Sequence, residues 1–233
     1  MQKDYRKSDH KVNKTFGRSY DIELSQERPQ GFMEGTMMKK TIFVAALLAV
    51  LLAAPQTYCI QETVRDYIYK PGHLKPLDSV PKLKVGDKAP AFTLPAIKGG
   101  KVSLGDYLGK KNVVISFVPA AWTPVCSDQW PGYNIAKEIL DEHNTILIGI
   151  TVDNIPTLYA WTRTMGDLWF PVLSDFWPHG KVAQEYGILR SDGIAERSLF
   201  VIDRQGIIRY IDVHDINERP RLETLVKELE KLP

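Results

Sequence analysis

Val113-Val114-Ile115-Ser116-Phe117-Val118-Pro119-Ala120-Ala121-Trp122-Thr123-Pro124-Val125-Cys126 is the stretch whose reading decides the fold. Val113–Val118 is an apolar, largely β-branched run of the length of a buried strand. Pro119 ends it. Thr123 suits a helix N-cap and Pro124 suits the first helical position. The chain therefore passes from a strand through a turn into a helix, with Cys126 in the helix's first turn. There a cysteine faces unpaired backbone N–H groups and the positive end of the helix dipole, both of which favour thiolate over thiol. A strand, a turn and a helix mouth around one cysteine point to a nucleophile.

Downstream, the pattern predicts a helix from Pro124 to about Glu142, which Pro131-Gly132 should kink or split. A strand follows over Thr145–Val152, then a helix over Ile155–Thr164 and a short strand over Pro171–Leu173. Lys181–Tyr186 reads as a short helix stopped at Gly187. Ser198–Ile202 and Ile207–Ile211 flank the turn Asp203-Arg204-Gln205-Gly206 and read as a hairpin. Arg219–Leu232 closes the chain as an amphipathic helix, with Leu222, Leu225, Val226, Leu229 and Leu232 on one stripe. Upstream, Val102–Leu104 is a short strand after Gly99-Gly100. Strands joined by helices, followed by an antiparallel pair, predict an α/β fold with a central mixed sheet flanked by helices. This domain covers 84–233.

The preceding segments read differently. Residues 59–83, with Pro71, Pro76 and Pro81, form a linker arm. Residues 37–58 carry Lys39-Lys40 and the apolar run Ile42–Ala54, the pattern of a signal peptide; a short membrane anchor is the alternative. This predicts export, into a bacterial periplasm. Lipidation at Cys59 is disfavoured, because Gln56-Thr57-Tyr58 is bulky and polar. Residues 1–36 are polar and unpatterned: an unstructured extension, or an upstream start ahead of Met37 or Met38.

Composition narrows the function. The 233-residue chain is 44% hydrophobic and 25% charged, with a formal charge of +2. That charge is too small to indicate a nucleic-acid partner. Two cysteines permit neither a disulfide framework nor a cysteine-built zinc site. The five histidines have no ligand spacing. Gly105-Asp106-Tyr107-Leu108-Gly109-Lys110 has the wrong spacing for a phosphate loop.

Pro119, Thr123 and Cys126 match the motif P-x-x-x-T-x-x-C, and here the chain resembles the peroxiredoxins, the alkyl hydroperoxide reductase/thiol-specific antioxidant family. Val85–Phe92, Phe170–Asp175, Glu185–Ile188 and Arg197–Asp203 resemble further segments of that family, in the right order. His214–Pro220 looks like its bacterioferritin-comigratory branch. The resemblance implies a thioredoxin-like fold and a thiol peroxidase for hydrogen peroxide or alkyl hydroperoxides. In it Cys126 is the peroxidatic cysteine that cycles through sulfenic acid. Thr123 contacts thiolate and peroxide, Pro119 shields the sulfur, and Arg197 supplies a fixed positive charge. No cofactor and no metal is implied. Plainer roles stand beside these: Thr123 as a cap, Pro119 as a strand end, Arg197 as a solvated charge, Trp122 as a packing residue. Gln129, where many family members are acidic, and Pro131-Gly132 depart from the family pattern.

The domain holds no second cysteine, which predicts a one-cysteine enzyme reduced by an external thiol or thioredoxin-like partner. Cys59 is the alternative resolving residue. Peroxiredoxins often dimerise, so a second copy of the chain is a candidate partner; a membrane enters only through an uncleaved signal or a lipid on Cys59. Two other readings remain. Trp122-Thr123-Pro124-Val125-Cys126 looks like a W-C-x-x-C site with its first cysteine replaced, as in a thioredoxin-like thiol-disulfide exchange protein. A non-catalytic redoxin-like binding domain is the other.

Overall fold

A computed structural model describes residues 66–232. The expectations for 1–36, for the signal segment 37–58 and for Cys59 lie outside the described residues. The elements are β1 (Thr93–Pro95), β2 (Lys101–Ser103), β3 (Asn112–Phe117), α1 (Pro124–Asn134), α2 (Lys137–Glu142), β4 (Thr145–Thr151), α3 (Ile155–Arg163), β5 (Val172–Ser174), α4 (Lys181–Glu185), β6 (Ser198–Ile202), β7 (Ile208–Val213) and α5 (Leu222–Leu229). Five strands form one sheet in the order β5-β4-β3-β6-β7. β3, β4 and β5 are parallel, whereas β6 runs antiparallel to both of its neighbours, β3 and β7. This is the expected α/β thioredoxin-like fold with a mixed sheet. β1 and β2 pair as a separate antiparallel hairpin; β1 had no strand signal in its short, proline-ended sequence.

β3 occupies the centre and is buried along its whole length. That is why it reads as a continuous apolar run and not as an alternation. Val113, Ile115 and Phe117 enter one core with Ile148, Ile150, Phe200 and Tyr186. Val114 and Val118 enter the other with Leu147, Val201, Trp130, Trp161, Leu225 and Leu229. α1, α3 and α5 thus cover one face, and the β1–β2 side and α4 cover the other.

The helix predicted over Pro124–Glu142 is split, but not at Pro131-Gly132. α1 contains Pro131 and runs on to Asn134, and the break comes at Ile135–Ala136 before α2 begins at Lys137. Burial explains the continuation: Gln129, Trp130 and Tyr133 all face inward, and this tertiary packing holds the helix through the missing proline N–H.

Trp130 has a seat built for it. Ser116 of β3 and Gly149 of β4 are register partners. Trp130 Nε1 donates to Ser116 Oγ at 3.3 Å. A Cβ added at Gly149 would lie 2.7 Å from the indole. Two adjacent small residues therefore make the slot that anchors α1 to the sheet.

Residues 66–83, expected as a linker arm, carry no strand and lie along the domain through hydrogen bonds. Tyr69 N–H donates to the Trp122 carbonyl at 2.8 Å. Leu74 and Asn217 exchange two bonds, each 2.9 Å, between backbone and side-chain amide. Asp78 and Ser79 N–H donate to Glu196 Oε1 at 2.6 and 2.7 Å. Glu196 is fully buried and ion-paired to Arg190 at 2.8 Å.

Candidate active site

The site lies where the C-terminal end of β3 meets the first residues of β6. Phe117 pairs with Ser198 across the antiparallel ladder, so the turn after β3 and Arg197 just before β6 become neighbours. α1 starts immediately beyond that turn and brings Cys126 in its first turn. The step of four positions from Cys126 to the anchored Trp130 is about one helical turn, so the indole seat fixes the height of the sulfur.

Cys126 is 0% exposed and a free thiol. Arg197, 2% exposed, points its guanidinium at it, with Nη2 at 3.4 Å from Sγ. The rest of that guanidinium is held by neutral acceptors. Nε and Nη2 donate to the Ile216 carbonyl at 3.1 and 3.0 Å. Nη1 donates to Gln129 Oε1 at 2.6 Å. Gln129 in turn donates to Ser116 Oγ at 3.1 Å. A buried guanidinium is costly unless its donors are occupied and its charge is compensated. Here dipoles occupy most of the donors, and the remaining partner is the sulfur. The solvated strand-end reading of Arg197 does not hold.

Thr123 takes the N-cap backbone conformation, with φ −112° and ψ 152°, but its side chain does not cap α1. Its hydroxyl donates to the Ala120 carbonyl at 2.9 Å. The expected capping bond is replaced by one that closes the turn and leaves the hydroxyl oxygen able to accept. Trp122 has φ 60°, rare for a bulky residue. It packs against the core cluster around Trp130, in line with its packing role. Ala121 N–H is held by Asp153 Oδ2 at 2.8 Å, which fixes the turn from the β4 side.

Pro119, Thr123 and Arg197 line a cavity of about 560 Å³ whose opposite wall is the arm Tyr69–Leu74. Cys126 itself is not on the lining, but its neighbours Pro124 and Val125 are, as is the Arg197 that reaches Sγ. The four expected residues thus assemble at one place. Sequence reasoning missed two partners. Gln129 stood out only as a departure from the family pattern, although its position three residues after Cys126 puts it on the same helix face. The Ile216 carbonyl, a backbone group, has no sequence signal. Burial pushes the Tyr133 phenol upward, while its hydrogen bond with Gln129 acts the other way. Among the described residues, no three His, Cys, Asp or Glu side chains are placed to hold a metal ion, and no helix is long and apolar enough to cross a membrane.

A buried cysteine at a helix mouth, facing a fixed guanidinium on a thioredoxin-like sheet, defines a thiol-based redox protein. The chain belongs to the AhpC/TSA family, which matches residues 85–211. It is similar to a chloroplastic 2-cysteine peroxiredoxin of Chattonella marina var. antiqua, 31% identical over 157 residues, 64% of this chain and 80% of that protein. It is also similar to alkyl hydroperoxide reductase E of Mycobacterium tuberculosis, 39% identical over 137 residues, 58% of this chain and 89% of that one. Among solved structures, the reduced 2-Cys peroxiredoxin of Plasmodium vivax superposes with TM-score 0.61 at 26% identity, covering 64% of this chain and 81% of that chain. AhpC of Mycobacterium tuberculosis shares the fold with TM-score 0.59 at 21% identity, covering 64% and 93%.

Proposed function

We propose that this protein is a thiol-dependent peroxidase that reduces hydrogen peroxide or alkyl hydroperoxides at Cys126. The observation that carries this reading is the Arg197 guanidinium 3.4 Å from Cys126 Sγ beside a cavity. The Cys126 thiolate attacks the terminal oxygen of R–O–O–H. The S–O bond forms as the O–O bond breaks. Sulfur is oxidised by two electrons to sulfenic acid, and the departing R–O⁻ takes a proton and leaves as alcohol, or as water when R is hydrogen. Arg197 offers charge to the separating oxygens, and the Cys126 backbone N–H is a second donor. Thr123, whose hydrogen is bound to Ala120, accepts from the peroxide O–H and so orients it. Pro119 limits water at the sulfur.

The domain 84–233 contains Cys126 and no other cysteine, which supports a one-cysteine cycle completed by an external thiol or thioredoxin-like reductant. The relatives named 2-Cys support a role for Cys59, the chain's second cysteine. The sequence run His214–Pro220 supports assignment to the bacterioferritin-comigratory branch. The basic and apolar run Lys39–Ala54 supports export to a periplasm.

The test is stopped-flow oxidation of the reduced full chain by limiting hydrogen peroxide, with mass spectrometry and a Cys126→Ser control. The expected result is oxidation orders of magnitude faster than a free thiol, with one oxygen added at Cys126 and none in the control. Free-thiol rates would overturn the reading in favour of disulfide exchange or binding.

A further inference from the structure

Hydrogen peroxide needs little room. At about 30 Å³ per water-sized oxygen it fills roughly 60 Å³, yet the cavity beside Cys126 is about 560 Å³. The surplus is walled mostly by apolar side chains, although Lys70, His73, Asp192 and Asn217 are also on the lining. Tyr69, Pro71 and Leu74 come from the arm, and Val125, Ile194 and Ile216 come from the domain. Arg197 and Thr123 line the same cavity. Polar donors and hydrocarbon walls therefore share one cavity, which complements a ligand with a polar group on an apolar body.

The arm's wall is set in place. Tyr69 is tied to Trp122 by its backbone N–H. Leu74 is clamped at both its N–H and its carbonyl by Asn217. Asn217 follows Ile216, whose carbonyl holds Arg197. One short loop thus fixes the charged group and the arm together. The arm precedes residues 85–211, the part of the chain that the family matches, so this wall comes from outside the matched segment.

We propose that Tyr69–Leu74 builds an apolar subsite that receives the hydrocarbon body of an organic hydroperoxide, making the arm a specificity determinant for the reaction at Cys126. The subsite rests on the peroxidase reading above. It contributes to attack on organic hydroperoxides by positioning the O–O bond, and contributes nothing of the kind to hydrogen peroxide, which has no body to hold.

The test compares second-order oxidation rates of the full chain with cumene hydroperoxide and with hydrogen peroxide. The variants are Leu74→Ser and, as the volume-conserving control, Leu74→Met. Cumyl alcohol, the product, is the unreactive probe. The ratio of the two rates is expected to exceed that of free cysteine, to fall about tenfold in Leu74→Ser and to return in Leu74→Met. Cumyl alcohol should compete with cumene hydroperoxide in the parent protein and compete less in Leu74→Ser. If hydrogen peroxide oxidises Cys126 rapidly but the ratio is the same in all three proteins, the subsite is wrong and the peroxidase reading survives. If neither peroxide oxidises Cys126, the peroxidase reading fails and the subsite fails with it.

Discussion

Gln129 Oε1 accepts from Arg197 Nη1 at 2.6 Å, so a neutral amide, not a carboxylate, steadies the guanidinium that touches Cys126 Sγ. The amide's other end is held by Ser116 of the central strand. The charge beside the sulfur is therefore referenced to the sheet through one side chain, and it is not shared with an acid.

Gln129→Leu keeps the bulk but removes both bonds. A buried hydrogen bond to a charged group is worth about 1.5–3 kcal/mol, and urea unfolding should show a loss of that size. Oxidation of Cys126 should slow about tenfold, since the guanidinium loses one of its fixed points. Unchanged kinetics at reduced stability would confine Gln129 to a structural role.

Arg197→Met removes the positive group facing the site and should lower the peroxide rate by about 100- to 1000-fold. Arg197→Lys should recover little of it. A single ammonium cannot reproduce the fork that engages Ile216, Gln129 and Cys126 together. Stopped-flow oxidation of the two variants decides this.

Gly149→Ala places a methyl 2.7 Å from the Trp130 ring. The indole is packed by Trp161 and Phe170 at ring distances of 5.1 and 6.2 Å, so it has little room to yield. Overpacking of this kind costs about 1–3 kcal/mol. Thermal melts should show the loss, and Cys126 oxidation should slow as α1 shifts.

Asp78 ties the arm to the domain, accepting from Lys75 Nζ and from Ser191 N–H, each at 2.8 Å. The Lys75 hydrogen bond first, and then those from Ser191, hold its carboxyl below the ordinary value of 3.8. A carboxyl lowered in the folded state stabilises fully above its unfolded value, and that contribution is lost as pH falls through the folded value. Amide protection factors in the arm should be level from pH 7 to 5 and decline below about pH 4. Asp78→Asn should lower them already at neutral pH; a decline in the parent protein between pH 7 and 5 would contradict the assignment.

Much of the architecture was legible along the chain because it rests on local pattern. Val113–Val118, Thr145–Val152 and Ser198–Ile202 are apolar runs that only buried strands of one sheet accommodate, and their ends fall within a residue of β3, β4 and β6. The strand–turn–helix mouth at Cys126 was legible for the same reason, since Pro119, Thr123 and Pro124 constrain their own backbone. The helix break was misplaced because Pro131 acts locally, whereas Trp130 is held by Ser116 and Gly149, which precede and follow it by more than a dozen residues.

The sequence by itself determined the order of the elements from β2 onward, the position of Cys126 at a helix start, and the motif residues Pro119, Thr123 and Arg197. Each depends on neighbours in the chain or on a recognisable spacing. Only the tertiary structure decided what surrounds the sulfur. Gln129 and the Ile216 carbonyl hold Arg197, Thr123 spends its hydrogen on Ala120, and the arm closes the cavity through Asn217 and Glu196. Those contacts join residues up to 143 positions apart. They depend on hydrogen-bond direction and on burial, which chain order does not encode and folding does.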